Sequence, residues 1–326
     1  MEESASVSQE DGRPPPGGIA GLGTAVSGAT VSGAPVAMLK RALLSGSCLA
    51  VLAGILWLDY HWPHGFGLAG LGALMVAGGM WEYCRMARRL GIEVSRLLLV
   101  VAGVALFLGM WAGWAFGGEA ECPPWLRGPG MTAAALIGIT GLGVLAGRAA
   151  AGRIDGTIQA AGASALGLVY VAMPLAFIMA LREGSALGGP ALLGPMSVIT
   201  TVAVCKATDT GGFFCGRLIG GPRLSPRVSP NKTVAGALGG MALATAVSVG
   251  LAAIGASGLS IASAVLYGLL MAPATILGDL AESALKRQAA VKDSGRLLWD
   301  QGGVLDMIDG LLLAAPLSYL FFSVMG

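Results

Sequence analysis

The feature that most constrains this chain is a succession of apolar runs, each about as long as a helix must be to cross a bilayer. A transmembrane helix needs about 20 mostly apolar residues, with a range of about 17 to 25. Nine such runs lie near residues 42–59, 65–83, 97–117, 130–147, 158–181, 190–208, 233–254, 258–280 and 304–325. Charged residues make up 12% of the 326 residues and hydrophobic residues 55%. An ordinary soluble domain carries roughly 25% charge, so the composition argues against a water-soluble globule. The expectation is an all-α, polytopic integral membrane protein with about nine transmembrane helices.

The remaining composition narrows the class further. Glycine supplies 53 residues without a three-residue period, and its clusters sit inside apolar runs with no preceding strand, so neither a collagen-like chain nor a dinucleotide fingerprint is supported. Helix packing is the expected use of these glycines, for example Gly143 and Gly147 in the fourth run, four residues apart. The net charge of +2 gives no field that argues for a nucleic-acid partner. The five cysteines (Cys48, Cys84, Cys122, Cys205, Cys215) form no C-x-x-C pair and read as packing residues. Residues 1–36 are rich in Gly, Ser, Pro and Ala and read as a disordered tail. Residues 37–200 read as amino-terminal membrane helices and 201–326 as a carboxyl-terminal catalytic membrane region.

Charge placement sets the orientation. With the amino terminus in the cytoplasm and alternating spans, 18 of the 20 Lys and Arg residues fall on the inner side, leaving Arg127 and Arg182 outside. His61 and His64 then lie in the outer loop after the first run, beside Trp62, and read as interfacial rather than metal-binding residues. Glu82, at the inner end of the second run, reads as a terminal residue snorkelling beside Arg85.

The charges that carry chemistry sit in two inward-facing stretches, 206–233 and 278–309. Asp279 closes the eighth run, Asp306 and Asp309 open the ninth, and Asp209 lies near the inner end of the sixth. A carboxylate at membrane depth costs about 2.5–3.5 kcal/mol on insertion scales unless it is paired or hydrated. These span ends therefore call for a cation or a polar cavity, or for helix caps and salt bridges. Asp306 and Asp309, three residues apart, share one helix face. All-oxygen ligands favour Mg2+ completed by water and substrate phosphate. Lys286, Arg287, Lys292 and Arg296 interleave with Asp293, a mixture suited to a polyphosphate with its metal. Ser229-Pro230-Asn231-Lys232-Thr233 reads as a turn into the seventh run, where a hydroxyl or Asn caps the helix and its first N–H groups accept an anion.

Two strings carry a family resemblance: S-x-L-K-R-x4-K-D-x-G at Ser283 to Gly295, and G-G-x-L-D-x-x-D at Gly302 to Asp309. Upstream lie D-T-G at 209–211, G-R at 216–217, L-S-P-x-x-S-P-N-K-T at 224–233 and G-D-L-x-E-S at 278–283. Together, in this order, they resemble the signature of the phosphatidate cytidylyltransferase family. The resemblance implies that CTP and phosphatidic acid react at the cytoplasmic face of the lipid bilayer. The products would be CDP-diacylglycerol, for phospholipid biosynthesis, and pyrophosphate. It implies Mg2+ and, in the family, K+, and it is compatible with a homodimer. Carried over, Asp279 and Asp306 are metal-site carboxylates, with Asp309, Asp209 and Asp293 completing the acidic shell. Lys232, Lys286, Arg287 and Lys292 engage phosphates, and Ser229, Asn231 and Ser283 orient nucleotide or lipid phosphate.

The chain departs from the family pattern at several places. Gln301-Gly302-Gly303 stands where the family has H-G-G, and Asp306-Met307-Ile308-Asp309 where it has D-R-x-D. Lys232-Thr233-Val234-Ala235-Gly236 replaces K-T-W-E-G, and Trp299-Asp300 replaces a Pro- or Gly-rich approach. The expectation is a divergent active enzyme. Two alternatives stay open: a CTP-dependent enzyme acting on a prenol or other lipid, and a non-catalytic lipid-binding homologue.

Overall fold

The structure, a computed structural model, describes residues 50–51, 54–59, 61, 63–117, 129–184, 192–295 and 302–325. The expected tail and most of the first apolar run lie outside the described residues. So do Arg127, Arg296, Trp299 and Gln301.

Among the described residues eight long helices follow one another: α1 (Phe66–Arg89), α2 (Arg96–Phe116), α3 (Pro129–Ala150), α4 (Thr157–Glu183, with a π-turn at Leu168–Ala172), α5 (Pro195–Leu218), α6 (Val234–Ala253), α7 (Ile261–Gln288) and α8 (Val304–Met325). Between α5 and α6 an antiparallel hairpin pairs β1 (Arg223–Ser225) with β2 (Ser229–Thr233). The hairpin is where the sequence suggested only a turn. Helix starts follow local sequence: Ser95, Thr233 and Ser260 accept the N–H of Leu98, Gly236 and Ser263 at 3.4, 3.0 and 3.1 Å. The capping hydroxyl of α6 is thus Thr233, with Ser229 and Asn231 in the strand before it.

Six of these helices, α2, α3, α4, α6, α7 and α8, are long and apolar enough to cross a membrane. The protein is accordingly a helical integral membrane protein, though the nine expected spans are not all matched. The runs at 65–83 and 190–208 are helical, as α1 and α5, but these two helices are less apolar. In α5 the cause is plain: Thr200, Thr201, Lys206, Thr208, Asp209 and Thr210 dilute the Val and Ile of one 24-residue helix.

Burial follows the logic of lipid as solvent. Met80, Leu99, Phe107, Leu168, Tyr267 and Phe322 are fully buried between helices, while Leu97, Ile139, Leu142, Leu238, Leu270 and Leu320 are exposed on outer faces. In a bilayer an outward leucine costs nothing, so association must come from close packing and buried hydrogen bonds. Both are present around α5. The Tyr267 hydroxyl lies 2.9 Å from Thr201 Oγ1 and 2.6 Å from Ser318 Oγ, joining α5, α7 and α8. Glycines bring α5 onto α6: a Cβ on Gly211 would lie 2.6 Å from the Gly239 carbonyl oxygen, and one on Gly240 2.6 Å from that of Thr208. Gly143 and Gly147, the pair that suggested close approach from sequence, instead have no neighbour within 4 Å of such a Cβ. Spacing identified a small-residue pair, but α3 packs mainly on α2 and α4 and turns that pair to open space.

The ends of the bundle are tied differently. On one side Glu93, in the α1–α2 loop, binds Arg148 at 3.0 Å and Arg153 at 3.2 Å, and the Arg148 hydrogen bond holds its carboxyl below the usual carboxylate range. On the other, buried Arg182 donates to the Asp59 carbonyl at 2.8 Å and pairs with Glu183. Asp59 in turn accepts the Gly67 and Leu68 N–H groups, each at 2.8 Å. Arg182 is therefore a buried clamp between α4 and the segment before α1. His64, against Phe116 with ring centroids 4.4 Å apart, hydrogen-bonds the Ala115 carbonyl at 3.1 Å, consistent with a packing role.

Because the atom facing Gly240 is backbone, it cannot rotate away. Gly240→Ala is expected to destabilise the protein by about 1–3 kcal/mol, the cost of overpacking a tight contact, whereas Gly143→Ala leaves stability unchanged. Thermal unfolding of the detergent-solubilised protein checks both.

Candidate active site

A cavity of about 370 Å³ opens among the last four helices and the hairpin. That volume lies within the roughly 300–1,000 Å³ typical of ligand pockets. Helix α5 contributes Lys206, Asp209 and Phe213, the hairpin Asn231 and Lys232, α7 Asp279, and α8 Asp306 with Asp309. The two acidic stretches read from sequence thus face one space, and Asp306 and Asp309 do share a helix face.

Each acid is held by a different set of partners. Asp279 Oδ2 pairs with Lys232 Nζ at 2.5 Å, and its Oδ1 accepts the Ser283 hydroxyl at 3.2 Å. This pair fastens β2 to α7. Asp306 Oδ1 accepts Lys286 Nζ at 2.6 Å, while Oδ2 accepts the Ser294 and Gly303 N–H groups at 2.9 and 2.7 Å. Asp209 sits 3.5 Å from Lys206, and Asp309 accepts the Gly310 N–H at 2.6 Å. Lys206 also donates to the Met307 carbonyl at 3.4 Å.

Several expected residues stand elsewhere. Lys286 does not line the cavity: it bridges Asp306 and Glu282, the latter fully buried and 2.7 Å away. Ser283 lies behind Asp279, and Ser229 is in β2 outside the lining. Arg287 donates to the Val228 carbonyl at 3.2 Å, tying the hairpin tip to α7, while Lys292 and Asp293 are exposed beyond α7. The start of α6 offers an anion less than the turn suggested, because the Val234 N–H already binds the Pro222 carbonyl and that of Gly236 binds Thr233.

Three neighbours of these aspartates escaped the sequence reading. Lys206 reads from the sequence only as one of the inner-side cations, yet it lines the cavity. Glu282 stands inside the G-D-L-x-E-S string, and its four-residue spacing to Lys286 was the available signal. Glu82 is no snorkelling residue: it is buried and accepts the N–H groups of Val304 and Leu305 at 3.1 and 2.9 Å and contacts the Ser294 hydroxyl at 2.9 Å. Nothing local distinguished it, since those partners are more than 200 residues away along the chain.

Among the described residues, no group of three or more His, Cys, Asp or Glu is placed to hold a metal ion by itself. The donor set still suits one class of ion. Mg2+ keeps several waters and is commonly held by one or two carboxylates plus substrate phosphates rather than by an all-protein cage. Four aspartates and two lysines line the cavity, so a polyanion entering it needs additional positive charge.

A helical membrane protein with an acid- and lysine-lined cavity among its last helices is the class that fold and site define. The chain belongs to the cytidylyltransferase family, whose model matches residues 39–325. It is similar to the phosphatidate cytidylyltransferase of Brucella suis biovar 1 (strain 1330), 46% identical over 144 residues, which cover 43% of this chain and 52% of that protein. The Helicobacter pylori enzyme of the same name is 40% identical over 124 residues, covering 37% and 45%. That of Bacillus subtilis (strain 168) is 32% identical over 168 residues, covering 52% and 60%. The chain spans about half the length of the curated relatives it matches.

Among the described residues, Lys286 is the one cation paired with both Glu282 and Asp306. Lys286→Met should therefore destabilise the fold by about 3–5 kcal/mol, as when one partner of a buried ion pair is removed. Adding Glu282→Gln and Asp306→Asn should recover much of that loss in a thermal or denaturant titration.

Proposed function

We propose that the protein is a phosphatidate cytidylyltransferase, transferring the cytidylyl group of CTP to phosphatidic acid to give CDP-diacylglycerol and pyrophosphate. The observation that carries this reading is the convergence of Asp209, Asp279, Asp306 and Asp309 with Lys206 and Lys232 on one cavity. The family membership and the names of the relatives support it.

An oxygen of the lipid phosphate monoester attacks the α-phosphorus of CTP, the new P–O bond forms, and the bond to the bridging β-phosphate oxygen breaks. The second pKa of a phosphate monoester is about 6, so the nucleophile is largely ionised at neutral pH and needs no strong base. The protein's task is then in-line positioning and charge neutralisation. Lys206 and Lys232 engage phosphate oxygens from the cavity wall, and Asn231 orients them. Ser229 and Ser283 position β2 and Asp279. Lys286 holds Asp306 in place, while Arg287, Lys292 and Asp293 shape the field at the surface. Asp279 and Asp306, with Asp309 and Asp209 beside them, would hold Mg2+. When bound, Mg2+ neutralises phosphate oxygens and the leaving pyrophosphate. K+ is proposed as a second requirement on the family resemblance alone.

The site lies at the inner end of the helices, so CTP arrives from the cytoplasm and the lipid from the inner leaflet. The positive-inside count supports this, together with a topology of about nine spans, amino terminus inside. The family resemblance supports a homodimer.

Membranes containing the protein, incubated with labelled CTP, Mg2+ and phosphatidate, should yield a lipid-soluble CDP product and pyrophosphate. Asp279→Asn should lower kcat by about a hundredfold or more, the scale of losing one transition-state contact, while leaving insertion intact. Absence of product, with an active relative as control, rejects the reading, and product from a prenol acceptor but not from phosphatidate redirects it.

A further inference from the structure

A helix begins with N–H groups that have no partner in the helix, and a side chain at the cap position ordinarily satisfies one of them. Helix α8 has no such side chain, because the residue before Val304 is Gly303. Its first N–H groups are nevertheless bonded. Val304 N donates to Glu82 Oε1 at 3.1 Å and Leu305 N to Glu82 Oε2 at 2.9 Å. Asp306, at the third helical position, reaches back to the Gly303 N–H at 2.7 Å. That last bond is one half of a capping box, in which a residue at the cap position ordinarily supplies the other half. Here Glu82 from α1 takes the place of the cap side chain, accepting from the first two helical N–H groups.

The surrounding glycines are shaped to this carboxylate. A Cβ on Gly303 would collide with both Glu82 oxygens and with Ser294 Oγ, and one on Gly295 would collide with Glu82 as well. Gly302 has φ +88°, a left-handed conformation that glycine tolerates without strain. Ser294 completes the link: its hydroxyl lies 2.9 Å from Glu82 Oε2 and 2.8 Å from Asp306 Oδ2, one proton shared between two acceptors. Glu82 is thus one hydroxyl away from a carboxylate that lines the cavity.

We propose that Glu82 is a positioning residue: a helix cap supplied from α1 that fixes the first turn of α8 and, through Ser294, sets Asp306 in the cavity. The catalytic consequence rests on the reaction proposed above; the cap itself does not. A serine at position 303 would carry its own cap oxygen where Glu82 is gone and the Ser294 hydroxyl, which its Cβ also meets, rotates aside into the space Glu82 leaves. Glu82→Ala and Gly303→Ser should therefore each be harmful alone and compensate each other in combination.

The experiment uses the full chain in lipid nanodiscs, as wild type, Glu82→Gln, Glu82→Ala, Gly303→Ser and the Glu82→Ala/Gly303→Ser double variant. Amide exchange over residues 302–308 should quicken about tenfold in Glu82→Ala, on the scale of a lost cap, while residues 241–252 in α6 stay at the wild-type rate. Turnover per folded molecule should fall about tenfold to a hundredfold, the effect of a small misplacement at a reacting centre, with KM for CTP moving less than about threefold. The double variant should regain much of both losses. Should Glu82→Ala fail to fold, Glu82→Gln, of equal size with a single acceptor oxygen, should show the same changes in smaller degree.

Wild-type exchange over 302–308 in the Glu82 variants, or a double variant no better than the worse single, overturns the cap. Unchanged kcat per folded molecule overturns the positioning role. If wild type itself makes no CDP-diacylglycerol, the proposed reaction falls, while exchange and compensation still decide the cap.

Discussion

A carboxylate drawn into a membrane protein must be compensated, and that requirement organises the carboxyl-terminal half of this molecule. Lys232 answers Asp279 and joins β2 to α7, while Lys286 answers both Asp306 and Glu282 and joins α7 to α8. Lys206 answers Asp209 within α5 at the looser distance of 3.5 Å. Because the low interior dielectric makes an unpaired charge so costly, these pairs act as constraints on where the helix ends can sit. Their arrangement around one cavity follows from there being few charges and fewer places to solvate them.

Ion pairs of this length need the helices to approach closely first. In water the hydrophobic effect would drive that approach, but lipid offers no such gradient between apolar surfaces. The contact of Gly211 and Gly240 across α5 and α6 does it instead, with the Thr201–Tyr267–Ser318 hydroxyl chain holding α7 and α8 to α5. Glycine in this region therefore serves the site indirectly, by letting Asp209 and Lys232 share a cavity with Asp279. In α3, where glycine faces open space, no charged cluster depends on it.

Much of this was legible in the sequence, for reasons that also mark where legibility ends. Apolar run length located the described helices, because the bilayer imposes that length on each helix separately, but not their polar ends: α5 runs ten residues and α7 eight past the apolar run. The motif aspartates and Lys232 were legible because local spacing and a family pattern both pointed to them. Glu82 and Arg182 were not, since their meaning lies in partners from distant segments of the chain. The hairpin was missed because Ser229-Pro230-Asn231 carries turn residues, and the pairing with Arg223–Ser225 is a tertiary choice. The polar character of α1 and α5 is carried in part by buried residues, Glu82 in α1 and Thr200, Thr201 and Thr208 in α5, which leave each less apolar than the other long helices.

The departures from the family pattern take on a physical sense in this frame. Where the family pattern has Arg and Glu, this chain has Met307 and Ala235, a loss of one positive and one negative charge that leaves the local balance unaltered. Lys206 donates to the Met307 backbone carbonyl, a contact that does not depend on the side chain at that position. The four aspartates that line the cavity remain, and so do the two lysines. An excess of acid over base facing the cavity repels a bare polyphosphate, so a nucleotide bound there must come with its own cations. The substitutions leave that electrostatic requirement in place, and for that reason they are compatible with the proposed transfer rather than a sign of its loss.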